Sequence, residues 1–431
     1  MSSISIFSLG HKSSESLAAI SLCFLFFNIT GNCIAIGVGS ALETLCSQAL
    51  TASTDKFIVS KYLQRALIIS LVISLLISIL WCFTESFLVF FQQDLLVARQ
   101  SGIFMKFLIP GLFAVFTSEC LKKYLQTQGI VKPILAITFA GTVVSFLTQW
   151  ILVWSPINIG LSGAPLSISL SHISIALLYT CYITICKETR DRFELLTLDE
   201  LQSVKHILEI SRLASSGAMM IVSEWIAFEA LALAAGSMGK HQLAAQTISL
   251  NIDSFLFMVP MGLGAATSTM VGQHLGRKKP KDAQRLAFMS CILALVPATM
   301  SLTLLLCTRS EIGYLFSDDD AVVSLTGLLV PFIAFNQMAD SIGSTGGAIL
   351  RGCGLQKTGA FLNTLGYGMI SLPLGFYLAF RVNMGLYGLW IGLSTGLLFV
   401  SLGQFLLLFT INWSRVSTEA IERCKSNQNS Y

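Results

Sequence analysis

Four long stretches without a charged side chain limit what this chain can fold into. They cover residues 16–42, 66–84, 133–186 and 382–414. Each is at least as long as the roughly 18 apolar residues that indicate a membrane-spanning helix. Charged residues make up only 12% of the chain, against about 25% in soluble domains. The sequence therefore predicts an all-α polytopic membrane protein.

The hydropathy pattern predicts eleven spanning helices, at about 17–49, 57–84, 101–127, 131–154, 161–186, 207–236, 241–275, 283–308, 321–353, 356–380 and 385–412. Lys and Arg collect in cytoplasmic loops of membrane proteins, which orients the helices. Most basic residues fall on one side if the loop with Lys56 and Lys61 is cytoplasmic. This orientation places the C-terminus in the cytoplasm and residue 1 outside.

The chain repeats itself at an offset of 225 residues. Gly37, Gly39, Thr44 and Gln48 recur as Gly262, Gly264, Thr269 and Gln273, and Asn158, Gly160 and Gly163 recur as Asn383, Gly385 and Gly388. We therefore expect two pseudo-symmetric helix bundles, at 1–186 and 207–414, joined by a cytoplasmic linker at 187–206 and followed by a cytoplasmic tail at 415–431.

The two predicted bundles differ in their number of helices. The second contains six and the first five, since the helix at about 213–236 maps to positions at and before the start of the chain. We expect a first helix to be missing, with only its tail, about residues 4–10, remaining. The N-terminal stretch has no basic region followed by an apolar core, so no cleavable signal peptide is predicted.

Four acidic residues lie within the apolar segments of the second half: Glu224, Glu229, Asp253 and Asp340. Ionisable residues at membrane depth are costly and commonly mark an ion or substrate pathway. Burial also disfavours the charged form of a carboxyl group, so such a group can take up a proton. These carboxylates are the candidates for coupling protons to a substrate, and Glu224 with Asp340 is the favoured pair.

The alternative for each acid is a structural hydrogen bond at a helix interface. Glu224 and Glu229 are five positions apart and cannot share one narrow helix face, so one could face a cavity and the other a neighbouring helix. Asp253 could complete the same polar pocket or cap a kink near Pro260. Glu119 precedes Lys122 and Lys123 by three and four positions, which favours an ordinary ion pair.

Other side chains give weaker indications. Trp225 and Phe228 are candidates for lining a cavity by cation–π contact, although such residues more often pack in the core. The cysteines show no C-x-x-C spacing and the histidines no cluster, so neither a metal site nor a cofactor is predicted. There is no P-loop and no nucleophile–base pattern, which argues against ATP-driven pumping and enzyme activity. No nucleic-acid partner is expected.

Several segments resemble the motifs of the multidrug and toxic compound extrusion (MATE) transporters, particularly the eukaryotic branch. They are GVGSALETLCSQA at 37–49, SEWIAFE at 223–229, MVPMGLGAATSTMVGQHLG at 258–276, GGAILRGCGLQKTGAFLN at 346–363 and PLGFYLAFRVNMGLYGLW at 373–390. The resemblance implies six plus six helices and export of organic cations or metabolites in exchange for protons, with sodium less expected. It places Glu224, Glu229 and Asp340 at the family's acidic positions. Asn251 matches plant-like members, whereas animal members often have Glu there.

We expect a monomer in the plasma membrane or in a vacuolar or vesicular membrane. Two alternatives differ from the antiporter. One is a truncated, non-transporting or regulatory form of the same fold, which the missing first helix suggests. The other is a lipid-linked sugar flippase of the wider superfamily, which would need a cationic cavity, whereas the intramembrane charges recognised here are acidic.

Overall fold

The computed structural model describes residues 22–90, 95–154, 162–195 and 204–428. Within these ranges every regular element is helical, which confirms the predicted all-α membrane fold. Ten helices among the described residues are long and apolar enough to cross a membrane. The predicted remnant at residues 4–10 and the middle of the predicted linker, 196–203, lie outside the described ranges.

The chain divides into two compact units. Unit 1 contains residues 1–46 and 55–218, and unit 2 contains residues 47–54 and 219–431. The helices of the first half are α1 (Leu22–Ala52), α2 (Ile58–Cys82), α3 (Thr84–Phe90), α4 (Leu95–Thr127), α5 (Lys132–Gln149), α6 (Gly163–Ile185) and α7 (Lys187–Arg190). The boundary between the two units at 218/219 lies inside the helix Val204–Met238 and not in the predicted linker at 187–206. The bundle boundaries of the sequence analysis, 1–186 and 207–414, stay a prediction.

The helices of the second half are α8 (Val204–Met238), α9 (Lys240–Gly276), α10 (Pro280–Thr308), α11 (Asp320–Cys353), α12 (Gln356–Asn363), α13 (Leu372–Phe376), α14 (Leu386–Thr410) and α15 (Trp413–Gln428). Two π-helical stretches, Thr364–Ser371 and Tyr377–Arg381, make residues 356–381 one continuous helical segment. This segment corresponds to the span predicted at about 356–380, which is not one of the ten helices counted above. The predicted tail, by contrast, begins in α15.

Proline and glycine shape the core of unit 2. Pro260 lies inside α9 and Pro331 inside α11, where a proline cannot donate the usual backbone hydrogen bond. Gly392 of α14 faces Gly375, and any Cβ on Gly392 would collide with the Gly375 backbone. These two helical segments therefore approach more closely than larger residues would allow. Buried apolar residues from α8, α9, α11 and α14 form one core cluster in unit 2.

α15 packs on the end of unit 2 at which α9 and α10 meet. Val416 and Ala420 join a buried apolar cluster that includes Leu275 of α9 and Ala283 of α10. The Ser417 hydroxyl donates a hydrogen bond of 2.8 Å to the carbonyl oxygen of Leu275. The turn between α9 and α10, at 277–279, therefore lies beside a folded C-terminal helix.

Candidate functional site

A buried carboxylate–amide contact joins α9 and α11 in unit 2. The side-chain amide of Gln337 donates to the Oδ1 atom of Asp253 at 2.9 Å and to its backbone carbonyl at 3.0 Å. Asp253 is 8% exposed and Gln337 is 1% exposed. A buried polar group needs such a partner, so this double contact fixes the position of Asp253 without neutralising its charge. The contact therefore joins α9 to α11 as well as positioning Asp253.

Three of the predicted acidic residues come together around this contact. Asp340 is also 8% exposed. It lies within electrostatic range of both Glu224 and Asp253, which means close enough for their charges to interact with its own. Glu224 is half-buried on α8 and is likewise within range of Asp253. Among the described residues, no three His, Cys, Asp or Glu side chains are close enough to hold a metal ion. The three carboxyl groups are thus electrostatic neighbours.

Tyr367 is a member of this group that the sequence analysis did not identify. It is 2% exposed and lies within electrostatic range of Glu224, Asp253 and Asp340. Its backbone belongs to the π-helical stretch Thr364–Ser371. Such stretches often occur at functional sites, because the wider turn re-aims side chains. A phenol hydroxyl can donate a hydrogen bond to a carboxylate, but nothing in the residue pattern distinguishes this tyrosine from the others.

A cation approaches the group from the end of α11. The Arg351 guanidinium lies within electrostatic range of Glu224, and its Nη1 atom is 3.7 Å from where a Cβ on Gly347 would be. The side chain therefore runs back along its own helix, as helical side chains tilt towards the helix N-terminus. The sequence indicated only acidic charges within the membrane-spanning segments. The Arg351 side chain, which extends towards Glu224, corrects that expectation.

Asn336 lies one helical turn before Asp340. Both side-chain amide atoms are buried and have no hydrogen-bond partner among the described residues. Buried amides almost always have a partner, so an exception calls for a functional or structural explanation. Asn336 and Gln337 could have been identified by extending the search of apolar segments from carboxylates to amides.

The remaining predicted site residues lie apart from this group. Glu229 is half-buried, and no charged partner among the described residues is within electrostatic range. Asn251 is exposed and donates at 2.8 Å to the carbonyl oxygen of Thr247 in its own helix. Phe228 packs against the apolar core of unit 2, and Trp225 is half-buried. The cavity and coupling roles of these four residues stay predictions.

Unit 1 treats its buried acids differently. Lys123 Nζ lies 2.7 Å from a carboxylate oxygen of Glu43, and the Gln126 amide donates to the other oxygen at 3.3 Å. Glu119 pairs with Lys122 at 2.5 Å, which confirms the predicted ion pair there. Each of these carboxylates therefore already has a protein cation.

Comparison with known proteins identifies relatives along nearly the whole chain. The family model described as MatE matches residues 1–151 and 217–378. Protein DETOXIFICATION 17 of Arabidopsis thaliana is 31% identical over 98% of this chain and 88% of its own length. Multidrug and toxin extrusion protein 1 of Homo sapiens is 30% identical over 95% of this chain and 71% of its own length.

Solved structures agree with the sequence comparison. The crystal structure of the eukaryotic MATE transporter AtDTX14 superimposes with a TM-score of 0.91 at 28% identity, covering 98% of this chain and 94% of that one. A structure described as MATE in the bent conformation has a TM-score of 0.85 at 18% identity, covering 97% and 92% of the two chains, and so shows a shared fold.

Proposed function

Because this chain belongs to the MatE family of transporters, we propose that it is a secondary active antiporter which exports organic cations, xenobiotics or metabolites in exchange for protons. The observation that supports this proposal is the group formed by Glu224, Asp253 and Asp340. Neither aspartate forms an ion pair with a protein cation among the described residues.

Repulsion between these carboxylates gives a physical reason for exchange. Three negative charges held near each other in a buried site repel one another, and a proton or a positively charged substrate relieves that repulsion. Proton and substrate therefore compete for the same carboxylates. An antiporter needs this competition, since each ligand can drive a conformational change only through its different affinity for the two states.

Two further side chains fit this exchange. Arg351 is positioned to offset part of the charge of Glu224 when neither proton nor substrate is bound. The Tyr367 phenol lies close enough to the three carboxyl groups for their charges to act on it, and a phenol hydroxyl can donate a hydrogen bond to an ionised carboxylate or accept one from a protonated carboxyl group. We propose that these two residues tune the affinity of the acids and that the acids themselves exchange proton for substrate.

Efflux from proteoliposomes tests the proposal. Vesicles loaded with a fluorescent organic cation are given an inward-directed proton gradient, and the purified chain is compared with Glu224→Gln. We expect efflux from the unchanged chain and a loss of at least about tenfold in the variant, which corresponds to about 1.4 kcal/mol. Glu311→Gln, an exposed acid outside the spanning helices, is the matched control and should transport normally.

The ion can be identified in the same vesicles. A sodium gradient replaces the proton gradient, and we expect it to drive little efflux. Faster efflux under sodium than under protons would contradict the proposed coupling ion. Absence of efflux under either gradient, from a chain that remains folded, would contradict transport. We further propose that the chain acts as a monomer in the plasma membrane or in a vacuolar or vesicular membrane.

A further inference from the structure

The turn between α9 and α10, together with the first residues of α10, carries a dense group of exposed cations. Between positions 277 and 285 there are five basic residues and one acid, Asp282. All five basic side chains are exposed: Arg277, Lys278, Lys279, Lys281 and Arg285. Among the residues that the structure describes, none of the five forms an ion pair. We call these five residues the basic turn.

Membrane topology alone does not account for this charge, because the internal repeat contains its own control. The corresponding turn of the first half, at 52–60, has one basic residue, Lys56, and one acid, Asp55. Lys61, just beyond it, is 3.2 Å from Asp55, and Lys56 lies over the ring of Phe57 at 5.0 Å. The first-half turn thus has few cations, and each of them contacts a protein side chain. The basic turn has four more cations than its counterpart.

The surroundings of the basic turn leave it open to a partner. α15 packs beside it through Ser417 and Leu275, yet the five side chains remain exposed with α15 in place. Lys278 adopts a left-handed backbone conformation with φ 59°, which reverses the chain between the two helices. The turn leads directly into the N-terminus of α10 at Pro280, where the helix dipole also favours negative charge.

We propose that the basic turn binds the multiply charged headgroup of an anionic phospholipid at the membrane surface. The cations directly follow a spanning helix and therefore lie at headgroup depth, and basic clusters in that position attract anionic lipids. One polyphosphorylated headgroup can contact several of the five side chains at once. The predicted orientation places this turn on the cytoplasmic side, where anionic lipids are concentrated.

Direct lipid binding tests this proposal independently of transport. The detergent-purified full chain is titrated with dioctanoyl phosphatidylinositol 4,5-bisphosphate, and bound lipid is counted by native mass spectrometry. The test variant combines Arg277→Gln, Lys278→Asn, Lys279→Gln, Lys281→Gln and Arg285→Gln; asparagine is used at 278 because it tolerates the left-handed conformation. The matched control is Lys56→Gln, which removes the repeat counterpart of Lys281.

We expect the five-site variant to bind at least about tenfold more weakly, because it lacks all five cations that attract an anionic headgroup. Lys56→Gln should bind like the unchanged chain, and dioctanoyl phosphatidylcholine should not bind measurably. Equal binding by the five-site variant, or an equal loss in Lys56→Gln, would overturn the proposal. Free inositol 1,4,5-trisphosphate binding as tightly as the lipid would also overturn it, because the turn would then be a soluble-phosphate site.

Discussion

The two halves of this chain bury their acids in opposite ways. In the first half, Glu43 is 1% exposed and forms an ion pair with Lys123. In the second half, Asp253 has an amide partner, Gln337, in place of a cation. Asp340 has only other carboxylates and a phenol within electrostatic range among the described residues. The two halves thus share a repeated architecture, but the side chains around their buried acids differ in charge.

The difference suggests how a duplicated scaffold can divide its tasks. A carboxylate already paired with lysine gains little from a proton or a positively charged ligand, because its charge is compensated within the protein. A carboxylate held by an amide keeps its charge available. We therefore assign packing to the acids of the first half and exchange to those of the second, and the following variants test this assignment.

The largest effect is expected from breaking the ion pair of the first half. Lys123→Met removes the ion-pair partner of the buried Glu43 carboxylate, and we expect unfolding in detergent to become easier by about 3–5 kcal/mol. Thermal unfolding followed by circular dichroism measures the change. The double variant Glu43→Gln/Lys123→Met should recover most of the stability, since it leaves no unpaired charge. A Lys123→Met variant as stable as the unchanged chain would refute a structural role for this pair.

The sequence predicts the architecture more completely than the site. Long uncharged stretches indicate membrane-spanning helices, because the bilayer requires apolar side chains and internally bonded backbone. The same reasoning identifies Glu224, Asp253 and Asp340, since an acid stands out in an apolar segment. It does not identify α15, because this mostly polar segment has only a few apolar residues and resembles an ordinary cytoplasmic tail.

The partners of the acids depend on tertiary packing and local backbone geometry. Gln337 reaches Asp253 only because α9 and α11 pack in this register. Tyr367 joins the group through a π-helical stretch that no spacing rule in the sequence indicates. Arg351 lies at a helix end, and only the direction of its side chain brings it towards Glu224.

A smaller effect is expected from removing the amide that holds Asp253. Gln337→Leu leaves a buried carboxylate and a carbonyl without their donor, which should lower the free energy of unfolding by about 1–3 kcal/mol. The melting temperature in detergent measures it. Asn251→Leu is the control, because Asn251 is exposed and bonds only within its own helix, and it should change stability by less than about 0.5 kcal/mol. Equal losses in the two variants would contradict a special role for the Gln337 contact.

The smallest effect is expected from a single hydroxyl. Tyr367→Phe removes one hydrogen-bonding group from the acidic cluster, and a net contribution of about 0.5–1.5 kcal/mol should change the apparent affinity for an organic cation about two- to tenfold. Concentration-dependent efflux measures that affinity. Tyr377, which is 60% exposed in the next π-helical stretch, provides the control Tyr377→Phe. An equally large change of affinity in Tyr377→Phe would contradict a role of the Tyr367 hydroxyl in substrate binding.

The central claim is that the acids of the second half, and not those of the first, exchange protons for substrate. Proteoliposomes containing a pH-sensitive dye report proton movement directly when an organic cation is added. We predict that Glu224→Gln/Asp253→Asn/Asp340→Asn abolishes substrate-driven proton movement, whereas Glu43→Gln/Lys123→Met preserves it. Both variants must first be shown to be folded. Proton movement that survives in the triple variant, or that is lost in the folded double variant, would contradict the account.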